Sequence, residues 1–357
     1  MDDAVPPRMD DEVLDDLRAR LRAWRRVQTT GVAGWERGTE REWLDDLVAY
    51  WIDGYDWRVH EEAIRSLPWE RAGRLRVVHQ RAADPDAVAV VLLHGWPDSV
   101  LRFQRVLPLL TEVHVVAPPL PGYPFAAPFP ETDLSSAEMA GPVAEAMAAL
   151  GYDRYVVSAG DIGRGVATGL ATDHRDHVAA LHVTDVPLNA GLLSDPESLT
   201  DEERDYLHSI ERWRRKDGAY LMQQATRPHT LAVGLGDSPA GLAAWIAEKL
   251  RGWSDCGGDV ESVFPRDDLL SWVMAYWVTG SIGTSFAPYV KRSPGFDRIE
   301  VPTVVSQFPH ELVRAPRSMA EKIFDVRGWQ EPTAGGHFGA WERPEEYVAG
   351  LREAVAL

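Results

Sequence analysis

The chain has 357 residues, of which 45% are hydrophobic, so it is long enough for one large domain with an insertion or for two domains. Its 37 basic and 55 acidic residues give a formal net charge of −18, which argues against binding of nucleic acid or of an anionic membrane surface. The one cysteine, Cys256, excludes an intramolecular disulfide and a cysteine-based metal cluster.

The beginning of the chain shows no targeting signal. The opening run MDDAVPPRMDDEVLDDL is acidic and lacks the basic and apolar regions of a signal peptide. The longest apolar run, AVAVVLL at 87–93, is too short to span a membrane. We therefore expect a soluble, cytoplasmic protein without a membrane anchor.

Amphipathic helices are predicted in the first part of the chain. Apolar residues at three-and-four spacing, together with a stop at a proline, place them at about 10–26, 39–53 and 60–67. Thr39, followed three residues later by Glu42, predicts a capping box at the second helix. We interpret residues 1–72 as a tryptophan-rich N-terminal helical extension that packs on the core.

Strands and helices then alternate along the chain. Strands are predicted at 75–80, 87–93, 113–118, 155–157, 179–186 and 300–306, and helices at about 135–150 and 344–356. Residues 191–292 carry helical patterns near 201–217, 239–253 and 267–279 and no strand signal. The predicted fold class is α/β: an α/β-hydrolase core of mostly parallel strands, residues 73–190 and 293–357, with a helical lid at 191–292.

The turn SAGDIG at 158–163 is the strongest sign of chemistry. A short strand precedes it, a helix follows it, and small residues surround Asp161, as in a nucleophile elbow. A serine at this position would need a base, whereas a carboxylate is already ionised at neutral pH and can attack carbon directly. Asp161 is therefore the predicted nucleophile, and its product would be an ester of the protein that water must cleave.

Two residues near the end of the chain complete a predicted triad. In this fold the order along the chain is nucleophile, acid, histidine. Glu311 follows the strand at 300–306, and His337 lies in GGHF, between the last strand and the last helix. Each residue alone is more often structural, but the three in this order and at these sheet positions favour catalysis.

The motif HGWP at 94–97 follows a buried strand, where the oxyanion-hole loop of this fold lies. The backbone N–H groups of Trp96 and Ile162 are the predicted oxyanion donors. For His94 we expect a structural role in the loop.

Together these residues resemble the microsomal-type epoxide hydrolases and their soluble bacterial relatives. The resemblance covers nearly the whole chain. It includes GWERGT at 34–39, YWIDGYDWR at 50–58, the lid strings that begin YLMQQATRP at 220 and end SFAPY at 289, and VPTVVSQFPHELVRAPRS at 301–318. The lid strings are the most specific, whereas HGWP is shared with dehalogenases.

The resemblance implies a mechanism and two further residues. In this family two lid tyrosines hold the oxirane oxygen, and the matching positions are Tyr220 and Tyr289. A phenol O–H can protonate the oxygen as the ring opens. The implied substrates are a small-molecule epoxide and water, and no metal or organic cofactor is implied. A homodimer is common for such folds, although no segment of the sequence specifies an interface.

The sequence departs from the family pattern at several positions. Ile162 stands where relatives commonly have Trp, and Asp98 stands where the motif HGWPGS has Gly. Neither change removes a catalytic group. The first widens the pocket beside the nucleophile, and it leaves open which epoxide is the substrate.

Two other functions stay open at this point. A haloalkane dehalogenase shares the aspartate, the histidine and the ester intermediate. It needs hydrogen-bond donors for the halide, commonly a Trp where this chain has Ile162. Fluoroacetate-type dehalogenases also need arginines close after the aspartate, where this chain has only Arg164. A non-catalytic α/β-hydrolase-fold binding protein is the alternative from another class, although such proteins usually lose a member of the triad.

Overall fold

One sheet forms the centre of the protein. In the computed structural model, which describes residues 4–31, 34–131, 133–188, 196–291, 293 and 297–357, eight strands lie in the order β1-β2-β4-β3-β5-β6-β7-β8. They are β1 Trp69–Ala72, β2 Leu75–Gln80, β3 Ala89–Leu93, β4 His114–Ala117, β5 Tyr155–Ala159, β6 Val178–Val183, β7 Ile299–Ser306 and β8 Phe324–Gln330. β2 pairs antiparallel with β1 and β4, and the other pairs are parallel, which confirms the mostly parallel sheet.

The two central strands, β3 and β5, carry the predicted chemistry at their ends. Every residue of both strands is buried, as expected for parallel strands covered on both faces by helices. They pair in parallel with Leu93 opposite Ala159. Since the carboxyl ends of parallel strands meet at one edge of the sheet, the loop after Leu93 and the turn after Ala159 lie side by side.

Helices cover both faces of the sheet and form the insertion. Their bounds are α1 Asp11–Arg22, α2 Arg41–Asp53, α3 Trp57–Arg65, α4 Ala140–Ala149, α5 Asp161–Asp173, α6 Asp201–Lys216, α7 Ala219–Thr226, α8 Pro228–Asp237, α9 Pro239–Trp253, α10 Arg266–Thr279, α11 Ala287–Val290, α12 Arg317–Glu321, α13 Gly339–Glu342 and α14 Pro344–Val355. None of those in the described residues is long and apolar enough to cross a membrane.

The predicted lid corresponds to α6–α11, between β6 and β7. Its first helix begins with a true capping box, in which the Thr200 hydroxyl accepts a hydrogen bond from the Glu203 backbone and the Glu203 carboxylate accepts one from the Thr200 backbone. The predicted boundaries at 190–191 and at 292 fall on residues outside the described part of the chain, so these boundaries stay predictions.

The N-terminal helices pack against the lid. The Thr39 hydroxyl donates a 2.6 Å hydrogen bond to the carbonyl of Ala244 in α9, and the Tyr50 hydroxyl donates one of 2.6 Å to Asp267 in α10. The capping box predicted at Thr39 is therefore wrong. The N-cap position of α2 is occupied by Glu40, whose side chain makes no capping hydrogen bond. Thr39 lies one residue before that position, and its hydroxyl is used in the contact with the lid.

Candidate active site

Asp161 lies at a strained turn between β5 and α5. Its φ is +54°, in the left-handed region that costs a non-glycine residue about 1–3 kcal/mol. A Cβ on Gly95 would lie 2.5 Å from the Asp161 Oδ1 atom, and one on Gly163 would lie 2.6 Å from the His94 carbonyl oxygen. The Asp161 N–H donates a 2.9 Å hydrogen bond to the Asp185 carboxylate. Small neighbours and this bond hold Asp161, the predicted nucleophile, in its strained position.

The two predicted oxyanion donors both reach the carboxyl group of Asp161. The Trp96 N–H donates to Oδ1 at 2.9 Å, and the Ile162 N–H also hydrogen-bonds the carboxyl. Backbone donors need no reorganisation when charge develops on the oxygen that they bind, so they are suited to stabilise a tetrahedral intermediate.

His337 approaches the other carboxylate oxygen and is held by Glu311. The distance from His337 Nε2 to Asp161 Oδ2 is 3.6 Å, and His337 Nδ1 lies 2.8 Å from Glu311 Oε1. The first distance is too long for a direct hydrogen bond, and Nε2 has no hydrogen-bond partner among the described residues. The structure therefore brings the three predicted triad members together around the His337 ring.

The charges in the triad are coupled. Burial alone would lower the pKa of His337, but the charge and hydrogen bond of Glu311, with a contribution from Asp161, raise this pKa to about 9. Burial raises the pKa of Asp161 above its usual value, and His337 together with the two backbone N–H groups opposes that rise. At neutral pH the imidazole of the resting protein is therefore protonated.

Tyr220 and Tyr289 come from lid helices α7 and α11 and lie against Trp96, whose N–H bonds Asp161. Tyr220 stacks on Trp96 at 5.5 Å between ring centroids, and the Tyr289 ring lies 6.1 Å from Trp96 and 6.2 Å from Tyr220. Burial, and then the charge of Asp161, raises the pKa of both phenols well above the usual value, so both keep their protons. No described residue makes a well-formed hydrogen bond to the Tyr289 hydroxyl, which leaves it available to a ligand oxygen.

Sequence reasoning missed Trp253, which joins the lid to the triad. Its ring lies 5.3 Å from His337 and 5.1 Å from Tyr220, and its carbonyl accepts a 2.9 Å hydrogen bond from the His337 N–H. Lys249, on the same helix, places its ammonium 5.0 Å from the Tyr220 ring centroid. Both residues belong to a lid string that carries the family resemblance, but neither spacing nor composition distinguished them from core residues.

Two histidines near the site have other roles. His94 Nε2 accepts a 3.0 Å hydrogen bond from the Leu120 N–H, which agrees with the structural role expected for it. His182 Nδ1 lies 2.8 Å from Ser158 Oγ, a pair that resembles a nucleophile and its base. Both side chains are fully buried, and burial lowers the pKa of His182 to about 3, so this pair is a packed polar contact inside the sheet.

The described residues contain no group of three or more His, Cys, Asp or Glu side chains that could hold a metal ion. The arrangement brings together a carboxylate, a buried imidazole, two backbone N–H donors and two phenols.

Comparison with known proteins places these residues in a family. Residues 4–103 match the family model described as epoxide hydrolase N terminus, and residues 88–228 match that of the alpha/beta hydrolase fold. The chain is 35% identical to a Stigmatella aurantiaca protein named "Putative epoxide hydrolase", over 95% of this chain and 81% of that protein. It is 30% identical to the juvenile hormone epoxide hydrolase of Bombyx mori, over 90% of this chain and 79% of that protein.

Solved structures agree with the sequence comparison. The Aspergillus niger epoxide hydrolase superimposes with a TM-score of 0.87 at 29% identity and covers 99% of this chain and 97% of its own. This similarity includes the N-terminal extension and the lid as well as the sheet, because the alignment spans almost the whole of both chains.

Proposed function

The chain belongs to the epoxide hydrolase family of the α/β-hydrolase fold, and from that premise we propose that it converts an epoxide to a vicinal diol through a covalent ester on Asp161. One observation carries this proposal. The two carboxylate oxygens of Asp161 have different surroundings, since Oδ1 accepts the Trp96 N–H at 2.9 Å while Oδ2 lies 3.6 Å from His337 Nε2. A carboxylate arranged in this way can attack with Oδ2 while Oδ1 stays in the oxyanion hole.

In the first half-reaction Asp161 Oδ2 attacks an oxirane carbon. The new bond joins that carbon to Oδ2, and the bond from the same carbon to the oxirane oxygen breaks. Tyr220 and Tyr289 donate hydrogen bonds to the departing oxygen, and one phenol transfers its proton. The His337 imidazolium returns a proton to the phenolate that remains, which leaves a neutral imidazole for the second half-reaction. Because their pKa values are raised, both phenols enter this step protonated.

In the second half-reaction water attacks the ester carbonyl carbon. His337 removes a proton from water, and the Trp96 and Ile162 N–H groups stabilise the oxyanion. The diol oxygen leaves and takes the proton of the carboxyl group that forms, which regenerates the Asp161 carboxylate. The proton taken from water stays on His337, so the imidazolium of the resting enzyme is restored. Alkylation removes the negative charge of Asp161, one of the groups that raises the pKa of His337, so the imidazole loses its proton more readily in the ester than in the resting enzyme.

A haloalkane dehalogenase is the rival that the site allows. It is favoured by one observation: the buried indole Nε1 of Trp96 has no hydrogen-bond partner among the described residues and could donate to a halide. Arg164 is paired with Asp185, whose carboxylate accepts its Nε–H at 2.7 Å. A departing halide also needs no proton, so the two phenols would have no acid role in that reaction. A non-catalytic role would leave the complete site without a use.

Product analysis on one panel separates the two enzymes. Aryl and alkyl epoxides are expected to give diols, detected by mass spectrometry, while chloro- and bromoalkanes of matching carbon skeleton are expected to release no halide. Halide release without any diol would replace the proposal by dehalogenation. The cytoplasmic location and the homodimer considered from the sequence stay predictions.

A further inference from the structure

Asp98, the residue that departs from HGWPGS, forms a buried ion pair beside the active site. Its Oδ2 accepts a 2.6 Å hydrogen bond from Arg102 Nη1, and both residues are only 2% exposed. Burial alone would raise the pKa of Asp98, but Arg102, His94 and the Gly95 N–H outweigh it and hold this pKa below its usual value. The carboxylate is therefore charged in the folded protein.

Each partner of this ion pair contacts a different catalytic loop. Asp98 Oδ1 accepts the Gly95 N–H at 2.8 Å, and Gly95 immediately precedes the oxyanion donor Trp96. Arg102 Nη2 donates a 2.9 Å hydrogen bond to the carbonyl oxygen of His337 itself. The pair thus connects the loop that carries the oxyanion donor to the loop that carries the base.

The two loops meet Asp161 from opposite sides of its carboxyl group. Trp96 N lies 2.9 Å from Oδ1, and His337 Nε2 lies 3.6 Å from Oδ2. A displacement of about 1 Å in such a site can cost a hundredfold in rate. An ion pair that fixes both backbones therefore acts on the reaction although it touches neither substrate nor nucleophile.

Stability alone is a poor reason for such a pair. Removing two charges from water costs several kcal/mol per ion, and apolar residues of similar volume often replace a buried pair without loss of stability. A role in fixing the geometry of the site explains the pair better. Apart from the bond between Asp98 and Arg102, the hydrogen bonds described above join the pair to the two loops that flank Asp161.

We propose that Asp98 and Arg102 are positioning residues that hold the oxyanion loop and the His337 loop at the spacing required for both half-reactions. The inference rests on the proposed function. The carboxylate acts on both half-reactions through Gly95 and Trp96, because the Trp96 N–H holds Asp161 Oδ1 during the first and binds the oxyanion during the second. The guanidinium acts on ester hydrolysis through the His337 backbone.

The test compares three variants. Arg102→Lys keeps the charge, but a single ammonium cannot replace a guanidinium fork that bonds two groups at once. The double variant Asp98→Ala with Arg102→Met removes both contacts without leaving an unpaired buried charge. Lys322→Met is the matched control, because Lys322 pairs at 2.7 Å with Glu203, another buried carboxylate, on lid helix α6. Thermal melts establish that each variant folds.

Single-turnover rates of ester formation and ester hydrolysis are then measured with an epoxide that the wild-type enzyme accepts. We expect Arg102→Lys to slow hydrolysis about tenfold to a hundredfold and formation less than threefold, whereas the double variant slows both at least tenfold. Lys322→Met should change neither rate more than twofold. Folded Arg102→Lys and double variants with rates equal to those of the control would overturn the proposal.

A second readout does not depend on turnover. If the wild-type protein converts no epoxide of the panel, the proposed function fails, and the nuclear magnetic resonance signals of the His337 ring still test the pair. The ring signals of His337 are identified by their absence in His337→Gln. Their chemical shifts should change in Arg102→Lys and stay unchanged in Lys322→Met. Unchanged signals in Arg102→Lys would overturn the positioning role.

Discussion

Replacement of His337 by Gln is expected to lower turnover by about 10⁴-fold or more, since this residue is the proposed base of ester hydrolysis. Ester formation needs no base, so the variant should stop after the first half-reaction. Intact-protein mass should then rise by the mass of one whole epoxide, and the added mass should map to the peptide that contains Asp161.

Two variants control this experiment. The added mass should vanish when Asp161→Ala is combined with His337→Gln. His310→Gln changes the histidine that immediately precedes Glu311, whose side chain is 58% exposed, and this variant should behave as wild type. An adduct on another residue, or normal turnover in His337→Gln, would contradict the assigned roles.

Loss of both lid phenols is the second large effect that we expect. Tyr220→Phe or Tyr289→Phe alone should slow ester formation about tenfold to a hundredfold, because the remaining phenol can still protonate the oxygen. The double variant should slow it by about 10⁴-fold, the upper range for a positioned general acid. The rate is measured as adduct formation in the His337→Gln background, where hydrolysis does not interfere.

Tyr55→Phe is a suitable control for the phenol variants. Tyr55 is also a buried tyrosine, and its hydroxyl lies 3.0 Å from Ser271 Oγ, in the contact between the N-terminal extension and the lid. This change should leave adduct formation within twofold of the parent. If the double phenol variant reacted as fast as the control, proton donation would have to come from elsewhere; Tyr123, whose buried hydroxyl also has no partner among the described residues, would be the next candidate.

The strands at the centre of the fold were predictable because burial on both faces leaves a plain signal. AVAVVLL contains β3, and the predicted strand YVV at 155–157 lies within β5. The edge strands β1 and β8 were not predicted. Their sequences, WERA and FDVRGWQ, mix polar and apolar residues because an edge strand is only partly covered, and most of their positions are of intermediate exposure or exposed.

The predicted triad residues come together in space because strand order and motif order are linked in this fold. Asp161 follows β5, Glu311 follows β7 and His337 follows β8, so all three are delivered to one edge of the sheet. The contact of Arg102 with the His337 carbonyl could not be predicted in this way. It joins residues 235 positions apart through a backbone atom, which leaves no trace in residue type or spacing.

The covalent ester on Asp161 is the central claim, and a single turnover in H₂¹⁸O tests it most directly. With enzyme in excess over epoxide, the diol oxygen that does not come from the epoxide should come from Asp161 Oδ2, so the first diol should contain no ¹⁸O. One ¹⁸O atom should instead appear in the Asp161 peptide. Label in the diol and none in the peptide would mean that water attacks the epoxide directly, and the covalent mechanism would be wrong.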